Sequence, residues 1–235
     1  MQIGTDTLLL MAIDIEAMLG LLLLFAWVQN TSIHAVVWWG FSYLLRAGSI
    51  FLFGMFGSAS ALITIDLANA ALFISFALTW TGARVFSGRA VQPFGLCAGA
   101  ILWLLASRTP LLSDSPNLRV LVGGGIITAY TWLTAYEFWR DRDDALISRW
   151  PSILIFAAYG ALVLLHTPLS AALPWTPEKQ IFASAWLTTI SFGALLFTIA
   201  VAFLLLAMAK ERNESREKSI TARLWRWPRY LSRAR

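Results

Sequence analysis

Seven long apolar runs, each closed by polar or turn-forming residues, divide most of the chain: 7–28, 34–56, 60–82, 91–108, 119–139, 151–168 and 182–208. The runs are continuous rather than alternating, and a helix needs roughly 20 apolar residues to cross the hydrocarbon core of a membrane. Lipid offers no partner for backbone N–H and C=O groups, so only helices or closed barrels span it; unbroken runs predict helices. The breaks suit helix ends: Gln29-Asn30-Thr31-Ser32, Gly57-Ser58-Ala59-Ser60, Gly88-Arg89, Pro110 to Pro116, Arg140 to Pro151, and Pro168 to Pro177. The 151–168 run, short and interrupted by Gly160, is the weakest of the seven. The expected fold is all-α: a polytopic membrane bundle of seven transmembrane helices over residues 1–209, with a basic tail at 210–235.

Composition strengthens this reading. Of 235 residues, 58% are hydrophobic and 13% charged, with a mean hydropathy of +0.68. A soluble domain is about 45–50% apolar and about 25% charged, so the partner expected for most of the surface is a lipid bilayer, and a large soluble catalytic domain is excluded. The net charge of +5 is unevenly spread. Residues 210–235 hold nine Lys/Arg and three Glu, leaving nine basic and ten acidic residues before them. The basicity belongs to the tail, beside the bilayer, and no nucleic-acid partner is expected. Cys97, the one cysteine, fits neither an intramolecular disulfide nor a zinc spacing. The N-terminus lacks the positive region of a cleavable signal peptide, so the first run is expected to remain in the mature protein.

Orientation follows from the excess of Lys and Arg in short cytoplasmic loops. With the N-terminus outside and the C-terminus cytoplasmic, the inner side receives Arg84, Arg89, Arg140, Arg142, Arg149 and the tail, and the outer side only Arg108, Arg119 and Lys179. That is fourteen basic residues against three. Trp27, Trp38, Trp39, Trp80, Trp139, Trp150 and Trp175 then fall near the two interfaces, where an amphipathic indole is favoured. A retinal protein would need a Schiff-base lysine deep in the last span; here the nearest, Lys210, follows its cytoplasmic end.

Five ionisable residues lie inside the runs: Asp14, Glu16, Arg46, Asp66 and Glu137. Each costs about 2.5–3.5 kcal/mol at mid-membrane on insertion scales, so each should meet a partner, water or the bundle interior. The second and third runs are antiparallel neighbours, and Arg46 and Asp66 fall at depths an arginine stem can bridge, which predicts an Arg46–Asp66 pair. Asp14 and Glu16, two apart, face different ways, so one of them at most should join it. Asn69 shares a helix face with Asp66. Together Arg46, Asp66, Asn69, Asp14 and Glu16 are the candidate ligand-binding residues, either as an outward-facing polar pocket or as a salt bridge that fixes packing. Glu137, near Arg140, reads as an interfacial ion pair. His34 and His166 sit at opposite ends of the bundle, so no metal site is expected. Gly95 and Gly99 form a small-xxx-small spacing that suits packing within the bundle or a homodimer seam. Gly123-Gly124-Gly125 lacks the Lys-Ser/Thr of a phosphate loop, and no catalytic constellation or cofactor motif occurs.

The run Gly20-Leu-Leu-Leu-Leu-Phe-Ala-Trp27-Val-Gln-Asn30, then Trp39-Gly40, Asp66-Leu-Ala-Asn69-Ala and Trp80-Thr-Gly82-Ala-Arg84-Val-Phe86-Ser-Gly88-Arg89 resemble the membrane sensor region of proteobacterial GGDEF diguanylate cyclases. Leu206-Ala-Met-Ala-Lys210-Glu-Arg212 resembles the exit helix that joins such a sensor to its cyclase. The likeness covers about residues 1–218. It implies an input module in a bacterial inner membrane that signals through its last helix. No Gly-Gly-Asp/Glu-Glu-Phe turn follows. The expectation is therefore a non-catalytic sensor that either has lost its cyclase by truncation or frameshift or stands alone and acts on a separate cytoplasmic signalling partner. A small-solute transporter or channel, using the intramembrane acids and Arg46 as its path, is the alternative.

Arg84 and Arg89 at the cytoplasmic end of the third run suit lipid phosphates. In the tail, Ile220, Leu224, Trp227 and Leu231 share one helical stripe, opposite Arg226, Arg229 and Arg233. Such a segment would lie on an anionic inner leaflet, with Pro228 kinking or breaking it.

Overall fold

The computed structural model describes residues 5–141, 146–172 and 185–231. Among them the fold is helical, with no strand. The helices are α1 (Thr5–Gln29), α2 (Ala35–Gly54), α3 (Ala68–Phe86), α4 (Pro93–Ala106), the single turn α5 (Pro110–Ser113), α6 (Pro116–Arg140), α7 (Arg149–Ala172) and α8 (Ala185–Leu231). A π-helical segment, Leu62–Leu67, leads into α3. Among the described residues six helices are long and apolar enough to cross a membrane, so the chain is built as a membrane protein.

Local sequence explains the ends. Pro93 and Pro116 open α4 and α6 at the position where a missing N–H costs nothing. Ser115 caps α6 by accepting from the Leu118 N–H at 3.4 Å. α3 closes on Gly88, whose φ of 72° is left-handed. The Gly88 N–H donates to Val85 O at 3.0 Å and the Arg89 N–H to Arg84 O at 2.8 Å, the paired bonds of a Schellman motif. The third helix therefore runs four residues beyond the expected end at 82, bringing Arg84 into its last turn.

The six long helices close into a ring in which α1 neighbours α2 and α8, α2 neighbours α3, α3 neighbours α6, and α7 joins α6 to α8. α4 lies outside this ring against α3 and α6. The ring interior is filled from every side: Leu23, Trp39, Tyr43, Phe86, Phe138, Phe156, Phe197, Leu205 and Met208 are buried together. Aromatic rings step across it from Trp39 to Phe86 at 5.6 Å, then Phe138, Phe156 and Phe197, whose neighbour Tyr159 stacks at 3.7 Å. A second cluster of Phe73, Phe76, Trp80, Trp103, Ile126 and Tyr130 fills the space beneath α4.

Trp39 and Trp80, expected at the interfaces, are thus core residues. Gly82 makes room for the Trp39 indole, since a Cβ there would lie 2.3 Å from its Nε1, and the Trp39 N–H donates to Thr79 O at 3.2 Å. Trp175 lies outside the described residues. α1 and α2 cross through a glycine pair: a Cβ on Gly40 would stand 2.7 Å from Leu24, and one on Gly20 2.9 Å from Leu44.

The run with Gly160 forms the full-length helix α7; Gly160 is where the Trp132 indole packs, 2.3 Å from an added Cβ. The run that falls short is the fourth, since α4 has 14 residues, about 21 Å. It nonetheless joins the two ends of the bundle. Arg84 of α3 pairs with Glu137 of α6, so these helices finish at the same end. Arg108, just past α4, pairs with Asp66 at the start of the α3 limb. α4 carries the chain from one end to the other between them.

Candidate functional site

Glu16 and Arg46 meet inside the ring. Measured from the turn that α1 and α2 share, Glu16 lies about 20 Å up α1 and Arg46 about 17 Å up α2, so they are level. Glu16 is 3% exposed and Arg46 7%. Arg46 Nη1 stands 3.5 Å from Glu16 Oε1. The rest of the guanidinium faces α3, with Nη2 donating to Thr79 Oγ1 at 3.4 Å and Nε to Ser75 Oγ at 3.5 Å. Thr79 donates onward to Ser42 Oγ at 3.1 Å. The guanidinium carbon sits 5.0 Å from the centre of the Tyr43 ring and 4.7 Å from that of Phe76, within cation–π range.

The last helix enters the same cluster. Thr198 Oγ1 donates to Glu16 Oε1 at 3.0 Å, and the Tyr43 hydroxyl donates to Thr198 O at 2.8 Å. Glu16 Oε2 is buried without a hydrogen-bond partner. One carboxylate, one guanidinium and five hydroxyl-bearing side chains thus tie α1, α2, α3 and α8 together. Chemically, the group can hold a buried charge pair in register and respond if either charge is altered.

The expected Arg46–Asp66 pair is not formed. Side chains on a helix lean toward its N-terminus, so Arg46 reaches back along α2 toward Ser42 and Thr79, away from Asp66. Asp66 lies in the π-helical segment and pairs with Arg108, Nη2 to Oδ2 at 3.2 Å. Asn69 also turns from the cluster, donating from Nδ2 to Ile65 O at 2.8 Å within its own helix. Of Asp14 and Glu16 on α1, Glu16 joins Arg46, and Asp14 is exposed on the outer face of α1. The participants missed in the sequence are Ser42, Tyr43, Ser75, Thr79 and Thr198. A signal for three of them was present: Ser42 and Arg46, and Ser75 and Thr79, are each four apart, the spacing of one helix face.

A second ionic assembly closes the end of the bundle where α3, α6 and α8 come together. Arg84 Nη1 bonds Glu137 Oε1 at 2.9 Å, Arg89 contacts Glu137 Oε2, and Arg89 Nη2 reaches Asp141 Oδ1 at 3.1 Å. Arg84 also donates from Nε and Nη2 to Ala90 O at 3.2 and 3.1 Å. Arg84 and Arg89, expected to face lipid phosphates, are instead engaged by the α6 carboxylates, because Glu137 is buried and needs cations at its side. Glu137 accordingly pairs with α3 and its following turn, where the sequence suggested Arg140.

α8 is fastened at the same level. Glu211 accepts from Ser148 Oγ at 2.7 Å and from Ser148 N at 3.2 Å. Arg212 donates to Phe86 O and lies 4.5 Å from the centre of the Phe86 ring. Ser32 Oγ donates to Asn213 Oδ1 at 3.1 Å, and Arg216 Nη1 to Ser32 O at 3.3 Å. Three turns of the bundle therefore grip α8 within six residues of its exit. The side chains of Ile220, Leu224, Trp227, Leu231, Arg226, Arg229 and Arg233 lie outside the described residues; the backbone of α8 remains helical through Pro228 to Leu231.

The Gly95 and Gly99 seam is occupied from within the chain. An added Cβ would lie 2.5 Å from the Trp80 ring at Gly95 and 2.7 Å from the Tyr130 ring at Gly99. The Tyr130 hydroxyl donates to Gly95 O at 2.7 Å and accepts from the Gly99 N–H at 2.9 Å. The close approach that glycine permits is used by α3 and α6, which removes the homodimer seam expected there. Among the described residues no group of three or more His, Cys, Asp or Glu could hold a metal ion.

No protein-family model matches this chain, and no curated protein or solved structure matches it.

Proposed function

We infer that this chain is a non-catalytic integral-membrane sensor or signalling module that passes a change in its ionic cluster to a cytoplasmic partner through α8. The reading has seven membrane crossings, with α4 as a short fourth, the N-terminus outside and the C-terminus inside. Fourteen basic residues against three favour that orientation. The sequence resemblance to the input region of membrane diguanylate cyclases favours a bacterial inner membrane and a partner of the cyclase type.

The observation that carries the reading is the hydrogen bond from Thr198 to Glu16, which couples the charge pair to α8. α8 runs without a break for 47 residues in all, about 70 Å, and the part beyond Thr198 reaches well past the hydrocarbon core. Thr198 is bonded to α1 through Glu16 and to α2 through Tyr43, so an event that parts Glu16 from Arg46 pulls on one of those bonds, and a stiff helix carries the displacement outward. Residues 211–216 are where that displacement would be met by the turns that grip them.

The experiment is a fusion of a reporter cyclase after Lys218. Wild type sets a basal output, and Arg46→Gln and Thr198→Val are each expected to change it at equal protein level. Output unmoved by both would contradict coupling through this cluster, and solute uptake by liposomes carrying the purified chain would favour a transporter instead.

A further inference from the structure

The outward face of α1 carries Met11, Asp14, Met18, Leu21, Phe25 and Val28, all exposed, Met18 at 70% and Phe25 at 63%. Their spacings alternate between three and four, the repeat that keeps two helices in contact at a shallow left-handed crossing. Leu10 and Leu22 are exposed beside the stripe, and the opposite side of α1 packs within the bundle: Gly20 meets α2, Leu23 fills the ring interior, and Glu16 joins the ionic cluster. Asp14 is the one polar side chain among the six, and Leu8-Leu9-Leu10-Met11 separate it from the outer end of the helix. A carboxyl facing acyl chains from inside a span requires a partner, and among the described residues no side chain bonds Asp14.

We propose that α1 of a second copy of this chain covers the stripe, in a parallel two-fold pair with the two Asp14 carboxyl groups against each other. A second copy fits better than a foreign helix bearing a cation, for three reasons. Every copy inserts in the same direction, so lateral association puts the two Asp14 side chains at one depth without further design. The patch is then isologous, the commonest symmetry of a dimer. Two carboxyl groups brought to one depth can hydrogen-bond to each other, so each supplies the partner the other lacks. Met11 and Met18, flexible and polarisable, flank the acid and adapt to a facing helix. This interface is distinct from the Gly95 and Gly99 seam, which lies on the far side of α3, and it does not depend on the signalling role inferred above.

The test is disulfide crosslinking of the full chain in membranes, in a Cys97→Ser background. Single cysteines at Met18 and Phe25 are expected to give crosslinked dimer on oxidation, and a cysteine at Leu23, which faces the ring interior, is not. Asp14→Asn, whose amide also pairs with itself, should preserve crosslinking at Met18→Cys. Asp14→Leu should weaken dimerisation on the order of tenfold, read by diluting the protein into excess lipid, as expected for loss of an interhelical hydrogen bond in a membrane. Absence of crosslinking at Met18→Cys and Phe25→Cys would overturn the dimer, and so would equal crosslinking at Leu23→Cys. Asp14→Leu dimerising as tightly as wild type would overturn the role of the carboxyl pair.

Discussion

Arg46 is held by an acid on another helix, two hydroxyls and two ring faces, and the energetic consequence is asymmetric. Removing one member of a buried ion pair strands the other charge, at a cost of about 3–5 kcal/mol, whereas replacing both by apolar residues of similar volume is often neutral. Arg46→Ala is therefore expected to destabilise the bundle by about that amount. Arg46→Met combined with Glu16→Leu is expected to be more stable than either single substitution, as read by reversible unfolding in mixed detergent. Thr198→Val removes one hydroxyl bond and should cost about 0.6–2 kcal/mol in the same assay. That Arg46 and Glu16 are buried could be read from the sequence, since ionisable residues in apolar runs must be sheltered. Their pairing could not. Depth along two neighbouring helices suggested Asp66, but the lean of an arginine stem toward its own N-terminus sends Arg46 the other way. The acid that meets it comes from α1, set level with it by the turn that α1 and α2 share.

The limits of the helices are mostly a matter of local chemistry, and six of the seven apolar runs became helices of spanning length. Gly88 and the prolines at 93 and 116 mark boundaries for reasons visible in the chain itself. What local chemistry leaves open is which face of each helix meets which neighbour. Trp39 and Trp80 look like interfacial residues until Gly82 and Gly95 are seen to hollow out the places where their rings sit. Likewise, Gly95 and Gly99 signal close approach without naming the approaching groups, which are the Trp80 ring at Gly95 and the Tyr130 ring at Gly99. Tyr130→Phe deletes both hydroxyl bonds to α4 and should cost about 1 kcal/mol. Gly99→Leu forces a side chain into the space of that ring and should cost about 1–3 kcal/mol. Thermal denaturation of the two variants should rank them in that order, and a Gly99→Leu protein as stable as wild type would show that α4 does not rest on Tyr130.

Across the bundle, the two ends differ in kind. One end gathers Arg84, Arg89, Glu137, Asp141, Ser148, Ser32 and the first polar turns of α8 into several ion pairs and hydrogen bonds, and the other keeps the Asp66–Arg108 pair. Charge distribution along the sequence already separated these ends, because Lys and Arg concentrate at one of them. The fastening of α8 was hidden, since Glu211 and Ser148, or Asn213 and Ser32, lie far apart in the chain and belong to no motif. Glu137→Gln should leave Arg84 and Arg89 short of their carboxylate and increase proteolytic cleavage in the turn between α3 and α4, measured on the purified protein in detergent. The most direct measurement of coupling between the ionic cluster and α8 is the distance between spin labels at Thr31→Cys and Lys218→Cys in a Cys97→Ser background. Replacing Arg46 by Gln should shift or broaden that distance distribution relative to the parent. Superimposable distributions, with the protein still folded, would show that α8 does not respond to the Glu16–Arg46 pair.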